Sequence, residues 1–322
     1  MTKHLHNQHV AMRRRLQLLA TLAMVSVGCG AGEAPDQTHP TDTATAAVSR
    51  PADRPVLRVG VISRYNPVIM YRNYQPMMDF LSQETIYRFE LRLGRTYEDA
   101  VQLLGSGDVD LAILGGLTYL EARKQFGARP LVKPLNAAGS PFYHSIFITR
   151  DDSPLTRLAD LSGHSLALAS FHSTAGNLIP RYELDRAGVP MQKLSQVENL
   201  PHYEMVVRAI LKGHFDAGAV KDLVADQYRP KGLRRLHVSD PIPSGPVVCR
   251  ADLPDSVAQA VAAVLLQIDP RMASSQIFLQ DWDAEFRHGF VKAHDADYDG
   301  LRRILNSAPD GCGRGCHPAI RL

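Results

Sequence analysis

The sequence predicts an α/β fold in two lobes with a ligand cleft between them. Strand-like and helix-like segments alternate from residue 56, the alternation restarts after residue 140, and crossovers rich in proline and glycine fall near 140–145 and 240–246. Such alternation predicts a largely parallel sheet. At 322 residues, 45% of them hydrophobic, the chain can bury two medium cores.

The first strand is Val56-Leu57-Arg58-Val59-Gly60-Val61. Met77, Met78 and Leu81 lie at helical spacing and predict a helix over about 74–83. Residues 89–93 alternate like a strand, and a helix over about 97–104 is expected to stop at Gly105. Residues 109–114 read as a buried strand, with a helix from Leu117. Past the first crossover, strands are expected at 145–149, 165–169, 217–220 and 247–249. Helices are expected at 158–161, from Thr174, at 205–211 and over 256–268. This assigns 56–141 and 244–305 to lobe 1 and 142–243 to lobe 2. Ligands in such sheets bind at the carboxyl ends of strands, here between the lobes.

The N-terminus belongs to export rather than to the fold. Arg13-Arg14-Arg15 precedes an apolar run too short to span a bilayer, so residues 1–28 read as a cleaved signal, with Met12 an alternative start. Ser26-Val27-Gly28-Cys29 resembles a bacterial lipobox, with Ser26 where leucine is usual. Cys29 is then the lipidated first residue, anchoring the protein to a membrane on the periplasmic side. Residues 29–55, rich in Ala, Thr, Pro and Asp, form a flexible tether.

Residues 1–28 hold Lys3, Arg13, Arg14 and Arg15 and no acid, so the remainder carries a net charge of −1 against +3 for the whole chain. No basic field remains to attract nucleic acid. No G-x-S-x-G, H-E-x-x-H, P-loop or post-strand G-x-G-x-x-G occurs, which argues against an enzyme. No cofactor is expected. In the Cys-rich tail, 306–322, Cys312 and Cys316 are expected to form a local disulfide; a widened haem attachment motif or a metal clip with His317 are the alternatives. Cys249 reads as a buried thiol.

The chemistry concentrates in Phe171-His172-Ser173-Thr174-Ala175-Gly176-Asn177-Leu178-Ile179-Pro180. The run follows a strand and opens a helix. Ser173 is a good N-cap, and small residues at 174–176 leave the first amides uncovered at the positive end of the helix dipole. Without formal charge this can hold an anion, although composition alone favours a plain capped helix, since Ser-rich caps are common.

These residues resemble the S-T-S-G…P signature of the periplasmic phosphonate-binding family. Tyr97-Glu98-Asp99-Ala100-Val101 is similar to the family's D-Y-x-x-x-V helix start, and 106–115 to its G-x-V-D-x-A-W-x-G strand. Segments 139–145, 152–163, 201–204 and 213–218 match in order. The resemblance implies a type II periplasmic binding protein: a non-catalytic, monomeric component that closes around a small oxyanion and delivers it to an ABC permease. A sensory subunit for arsenite, arsenate or phosphate, signalling to a membrane histidine kinase, is the alternative. The resemblance further implies that Ser173, Thr174, the backbone at Ala175 and Gly176, His202, Tyr97 and Tyr143 hold the anion. Members that bind aminoalkyl phosphonates set carboxylates against the ammonium. Gly245 stands at one such position, and only Asp222, beside Lys221, could serve at the other. Phosphate, phosphite or a simple phosphonate is therefore expected over an aminoalkyl phosphonate.

Overall fold

Two mixed β-sheets, each covered by helices, organise the chain. The computed structural model describes residues 54–307; Cys29, Cys312, Cys316, the export signal and most of the tether lie outside the described residues.

The first sheet is built from β1 (Val56–Val61), β2 (Arg88–Leu93), β3 (Leu111–Ile113), β4 (Arg129–Pro134), β12 (Val247–Cys249) and β13 (Phe290–Lys292), in the order β13-β4-β12-β3-β1-β2. The second holds β6 (Ser145–Arg150), β7 (Ser165–Leu168), β8 (Gln196–Asn199), β9 (Ala217–Lys221) and β10 (Leu233–Val238), in the order β10-β6-β9-β7-β8. The short strands β5 (Phe142–Tyr143) and β11 (Ile242–Pro243) pair antiparallel. They lie in the two connections between the sheets, so the crossovers form one two-stranded ribbon.

The expectation of largely parallel sheets is corrected. β1 pairs parallel with β2 and β3, but β12 runs antiparallel to β3 and β4. Likewise β7 pairs parallel with β8 and β9, while β6 is antiparallel to β9 and β10. The reversal arises where the chain crosses between sheets: β6 and β12 are the first strands after each crossover.

Helix α1 (Pro67–Glu84) starts earlier than its apolar spacing suggested. Asn66 caps it by accepting from the Ile69 amide at 3.1 Å, and Pro67 occupies the first turn, where its missing N–H costs nothing. Helix α2 (Tyr97–Ser106) runs through Gly105 and stops at Gly107, which is left-handed at φ 79°. Helix α3 (Gly116–Phe126) follows β3.

In the second sheet, Thr174–Leu178 forms a π turn that leads into α4 (Ile179–Arg186). Then come α5 (Tyr203–Leu211) and α6 (Asp222–Tyr228). The chain closes with α7 (Asp255–Leu266), α8 (Ala273–Leu279) and α9 (Asp299–Ser307) on the first sheet.

Apolar side chains fill both faces of each sheet. Met70, Met78 and Val261 cover one face of the first, and Val101, Leu120 and Leu301 the other. Val206 and Ile210 of α5 pack on one face of the second, Leu158 and Leu184 on the opposite one. Alternate side chains along a strand point to opposite faces, so two-sided burial requires the near-continuous apolar runs that made these strands readable. Among the described residues no helix is long and apolar enough to cross a membrane.

Candidate functional site

The carboxyl ends of β1, β3, β7 and β9 converge on one small cavity of about 20 Å³. A space of that size holds roughly one water. Ile62 and Arg64 reach it after β1, Leu114 and Gly115 after β3, Ser173 and Thr174 after β7, and Lys221 as the last residue of β9. Tyr97 enters from the start of α2, Tyr143 from β5, Tyr203 from the start of α5, and Glu285 from the turn before β13. Larger grooves of about 430 and 560 Å³ run along α9 and α2, but they lie away from these strand ends.

One wall is a hydroxyl cradle. The Ser173 hydroxyl accepts from the Gly176 amide at 3.0 Å and shares a hydrogen bond of 2.9 Å with Tyr203. The Thr174 hydroxyl accepts from the Leu117 amide at 2.9 Å, tying the π turn to the start of α3. Gly176 permits this close approach. A Cβ there would sit 2.3 Å from the Ala169 Cβ and 2.9 Å from the Tyr203 ring. Burial pushes the phenols of Tyr97, Tyr143 and Tyr203 up, so all three stay protonated and able to donate. π turns of this kind recur at functional sites.

The opposite wall is charged. The Arg64 guanidinium pairs with the Glu285 carboxylate, and the Lys221 ammonium contacts the same carboxylate at 2.5 Å. All three side chains are at most 10% exposed. The Lys221 ammonium also lies 4.2 Å from the centroid of the Tyr143 ring. Burial, and then the Arg64 charge, pull the Lys221 pKa down to about 7. Asp222 and Asp283 pull the other way. The Arg64 Nε is buried without a hydrogen-bond partner.

Of the residues singled out in the sequence, Tyr97, Tyr143, Ser173 and Thr174 line the cavity. Ala175 and Gly176 lie behind it in the π turn, the Ala175 carbonyl accepting from the Ser145 hydroxyl at 2.6 Å. His202 caps α5 from outside the lining, its Nδ1 3.1 Å from the Ser63 carbonyl oxygen. Its neighbour Tyr203 faces the cavity instead. Asp222 is turned away, accepting from the amides of His144 and Leu223 at 3.0 and 2.7 Å. Gly245 lines the cavity, and a Cβ there would fall 2.2 Å from the Leu114 carbonyl oxygen, so no side chain fits. Arg64, Tyr203, Lys221 and Glu285 were not anticipated as site residues. Only Lys221, a charge ending an apolar strand, left a local signal.

Comparison with known proteins finds relatives along most of the chain. The family model described as the periplasmic substrate-binding protein of a phosphonate ABC transporter matches residues 59–298. The chain is 24% identical over 313 residues to the phosphate-import protein PhnD of Mycolicibacterium smegmatis, covering 89% of this chain and 93% of that one. It is 22% identical to a probable ABC transporter phosphite-binding protein PhnD1 of Prochlorococcus marinus, over 77% of this chain and 88% of the other. Among solved structures it resembles PhnD1 from Prochlorococcus marinus in complex with methylphosphonate, with a TM-score of 0.69 at 23% identity, covering 78% of this chain and 97% of that one. It also resembles a binding protein component of an ABC phosphonate transporter from Pseudomonas aeruginosa, with a TM-score of 0.70 at 21% identity, over 78% and 86% of the two chains.

Proposed function

The chain belongs to the periplasmic substrate-binding proteins of phosphonate ABC transporters, and from that premise we propose that its ligand is a small phosphorus oxyanion without an amino group: phosphate, phosphite or a simple phosphonate. As a member of that family it binds without catalysing, and its partners are a small ligand and a permease.

One observation carries the ligand class. Hydroxyls of Ser173, Thr174, Tyr97 and Tyr143 meet Arg64 and Lys221 around one cavity at the strand ends. Donors on one side and cations on the other suit an oxyanion. The neighbourhood offers an ammonium no free carboxylate: Gly245 has no room for one, Asp222 is spent on backbone amides, and Glu285 is held by two cations. Ala175 and Gly176 present backbone, and His202 acts at the rim through Ser63.

Residues 56–141 with 244–305 form one lobe in this reading, and 142–243 the other. The β5–β11 ribbon is their hinge. Thr174 with Leu117 and His202 with Ser63 are contacts that closing makes. The mature protein is a lipid-anchored monomer held at Cys29, with 30–55 as its tether.

Thermal shift and calorimetry against phosphate, phosphite, methylphosphonate and 2-aminoethylphosphonate test the ligand class. A ligand at about 100 times its Kd should add about 2.7 kcal/mol of stability. Tight binding of 2-aminoethylphosphonate with none of the other three would refute the reading.

A further inference from the structure

The charged wall of the cavity is filled from within. The Glu285 carboxylate lies between the Arg64 guanidinium and the Lys221 ammonium. Arg64 and Glu285 belong to segments flanking the first sheet and Lys221 ends a strand of the second, so one carboxylate joins cations from both. The remaining space, about 20 Å³, takes roughly one water and no oxyanion. With the lobes in this arrangement, an oxyanion fits only if a lining group moves.

We propose that Glu285 is an internal counter-anion occupying the charge-recognition subsite, that Arg64 and Lys221 are the ligand's cationic partners, and that the entering oxyanion takes the place of the Glu285 carboxylate. This rests on the ligand class proposed above and deepens it.

Three observations support the exchange. Glu285 is the lining group whose departure both opens room and frees two charges. Its turn, Ala284–Phe286, is a short 3₁₀ segment pinned by the buried Phe286, so the exchange needs only a rotation of the Glu285 side chain and no movement of the core. The Arg64 Nε is buried and unpartnered, so the guanidinium retains a donor that Glu285 leaves unused.

Charge then ranks ligands. A monoanion merely replaces the carboxylate. A dianion places more negative charge between the two cations and binds more tightly. A zwitterion carries its ammonium toward two cations and is rejected. The subsite therefore selects compact, multiply charged oxyanions that carry no cation.

The Glu285→Gln variant tests this, with the purified protein titrated calorimetrically at pH 8 with inorganic phosphate, phosphite, methylphosphonate, methanesulfonate and 2-aminoethylphosphonate. Glutamine keeps the shape and removes the competing charge. Phosphate should bind at least about tenfold more tightly than to the parent protein, equivalent to about 1.4 kcal/mol. Unchanged or weaker phosphate binding would overturn the counter-anion role, and would make Glu285 a ligand-holding group instead. Should Glu285→Gln lack a cooperative melt, Glu285→Asp, whose carboxylate is drawn back by one methylene and holds the two cations less closely, decides on the same criterion with a smaller gain. If the parent protein and the variants bind none of the five compounds, the ligand class itself fails and takes the proposal with it. If only the variant binds, the counter-anion role is upheld.

Discussion

The two walls of the cavity recognise charge by opposite means. The cradle of Ser173, Thr174 and the tyrosines uses neutral donors and the end of a helix, whereas the facing wall uses Arg64 and Lys221 held by Glu285. Neutral donors cost little to bury because they satisfy one another. Ser173 bonds Tyr203 and the Gly176 amide, and Thr174 bonds the Leu117 amide. Buried cations cannot stand alone, since an unpaired charge is expensive in a poorly solvated site. The charged wall therefore needs an internal partner whenever the ligand is absent, and the cradle does not. Affinity and stability are tightly coupled on one wall and only weakly on the other.

Removing Arg64 should break that contrast most severely. In Arg64→Met, Glu285 keeps only Lys221, and loss of one partner from a buried pair costs about 3–5 kcal/mol. Phosphate affinity should fall as well, because a hydrogen bond to a charged group contributes about 1.5–3 kcal/mol, roughly 10- to 150-fold in Kd. Chemical denaturation and titration calorimetry measure the two effects. Parent-like values for both would show that the charged wall plays no part in binding.

Lys221 sharpens the comparison through pH. Facing it are Arg64, Glu285, Asp222, Asp283 and the Tyr143 ring. Burial first, then Arg64, lower its pKa from 10.5 to about 7 in the ligand-free protein. Above that pH the amine keeps its proton only against a facing anion, so a ligand that takes the place of Glu285 must hold that proton itself. Affinity for phosphate should therefore fall as pH rises from 8 to 9.5, a range in which the ligand stays a dianion, approaching about tenfold per unit for one linked proton. Lys221→Met should bind more weakly at pH 8 and lose most of that slope. An equal slope in the variant would assign the proton to another group.

The cradle should respond more gently. Ser173→Ala removes the cap on the Gly176 amide and the bond to Tyr203. An N-cap serine contributes about 1 kcal/mol to stability. A neutral hydrogen bond is worth about 1 kcal/mol to binding, roughly fivefold in Kd. A loss matching that of Arg64→Met would mean that the two walls are not as different as their chemistry suggests.

The same division explains what the sequence could disclose. Strands such as Leu111–Ile113 and, up to its terminal Lys221, Ala217–Lys221 are apolar runs buried on both faces, and each was readable from a few adjacent residues. Strands overlooked, among them Arg129–Pro134, Gln196–Asn199, Leu233–Val238 and Phe290–Lys292, mix charged or polar residues with apolar ones, and β8, β10 and β13 lie at sheet edges where only one neighbour pairs. The serine–threonine part of the cradle is local: Ser173 caps Gly176 three residues on, so that part of its chemistry lies in one short stretch of sequence. The charged wall is not. Glu285 lies 221 positions from Arg64 and 64 from Lys221, and each alone looks like an ordinary surface charge. Only the meeting of strand ends across two sheets makes them a site. Tyr203 shows the finer limit, because the first residues of α5 point in different directions and spacing alone does not say which of His202 and Tyr203 faces inward.

His202 supplies the smallest expected effect and the most direct test of that last point. Its Nδ1 is 3.1 Å from the Ser63 carbonyl oxygen, a contact between the segment before α5 and the segment after β1, while the cavity is lined by Tyr203. If His202 acts only on closure, His202→Gln, whose amide can still donate to that carbonyl, should weaken phosphate binding by less than about fivefold, the value of one neutral hydrogen bond. Tyr203→Phe should cost about as much by removing the hydroxyl paired with Ser173. The two also separate kinetically. A closure contact slows ligand release, so stopped-flow measurement of His202→Gln should show the loss mainly as a faster off-rate with an unchanged on-rate. A loss in His202→Gln beyond about thirtyfold would place the imidazole on the ligand itself. The cradle would then include a titrating group, and the contrast between its neutral donors and the charged wall would have to be redrawn.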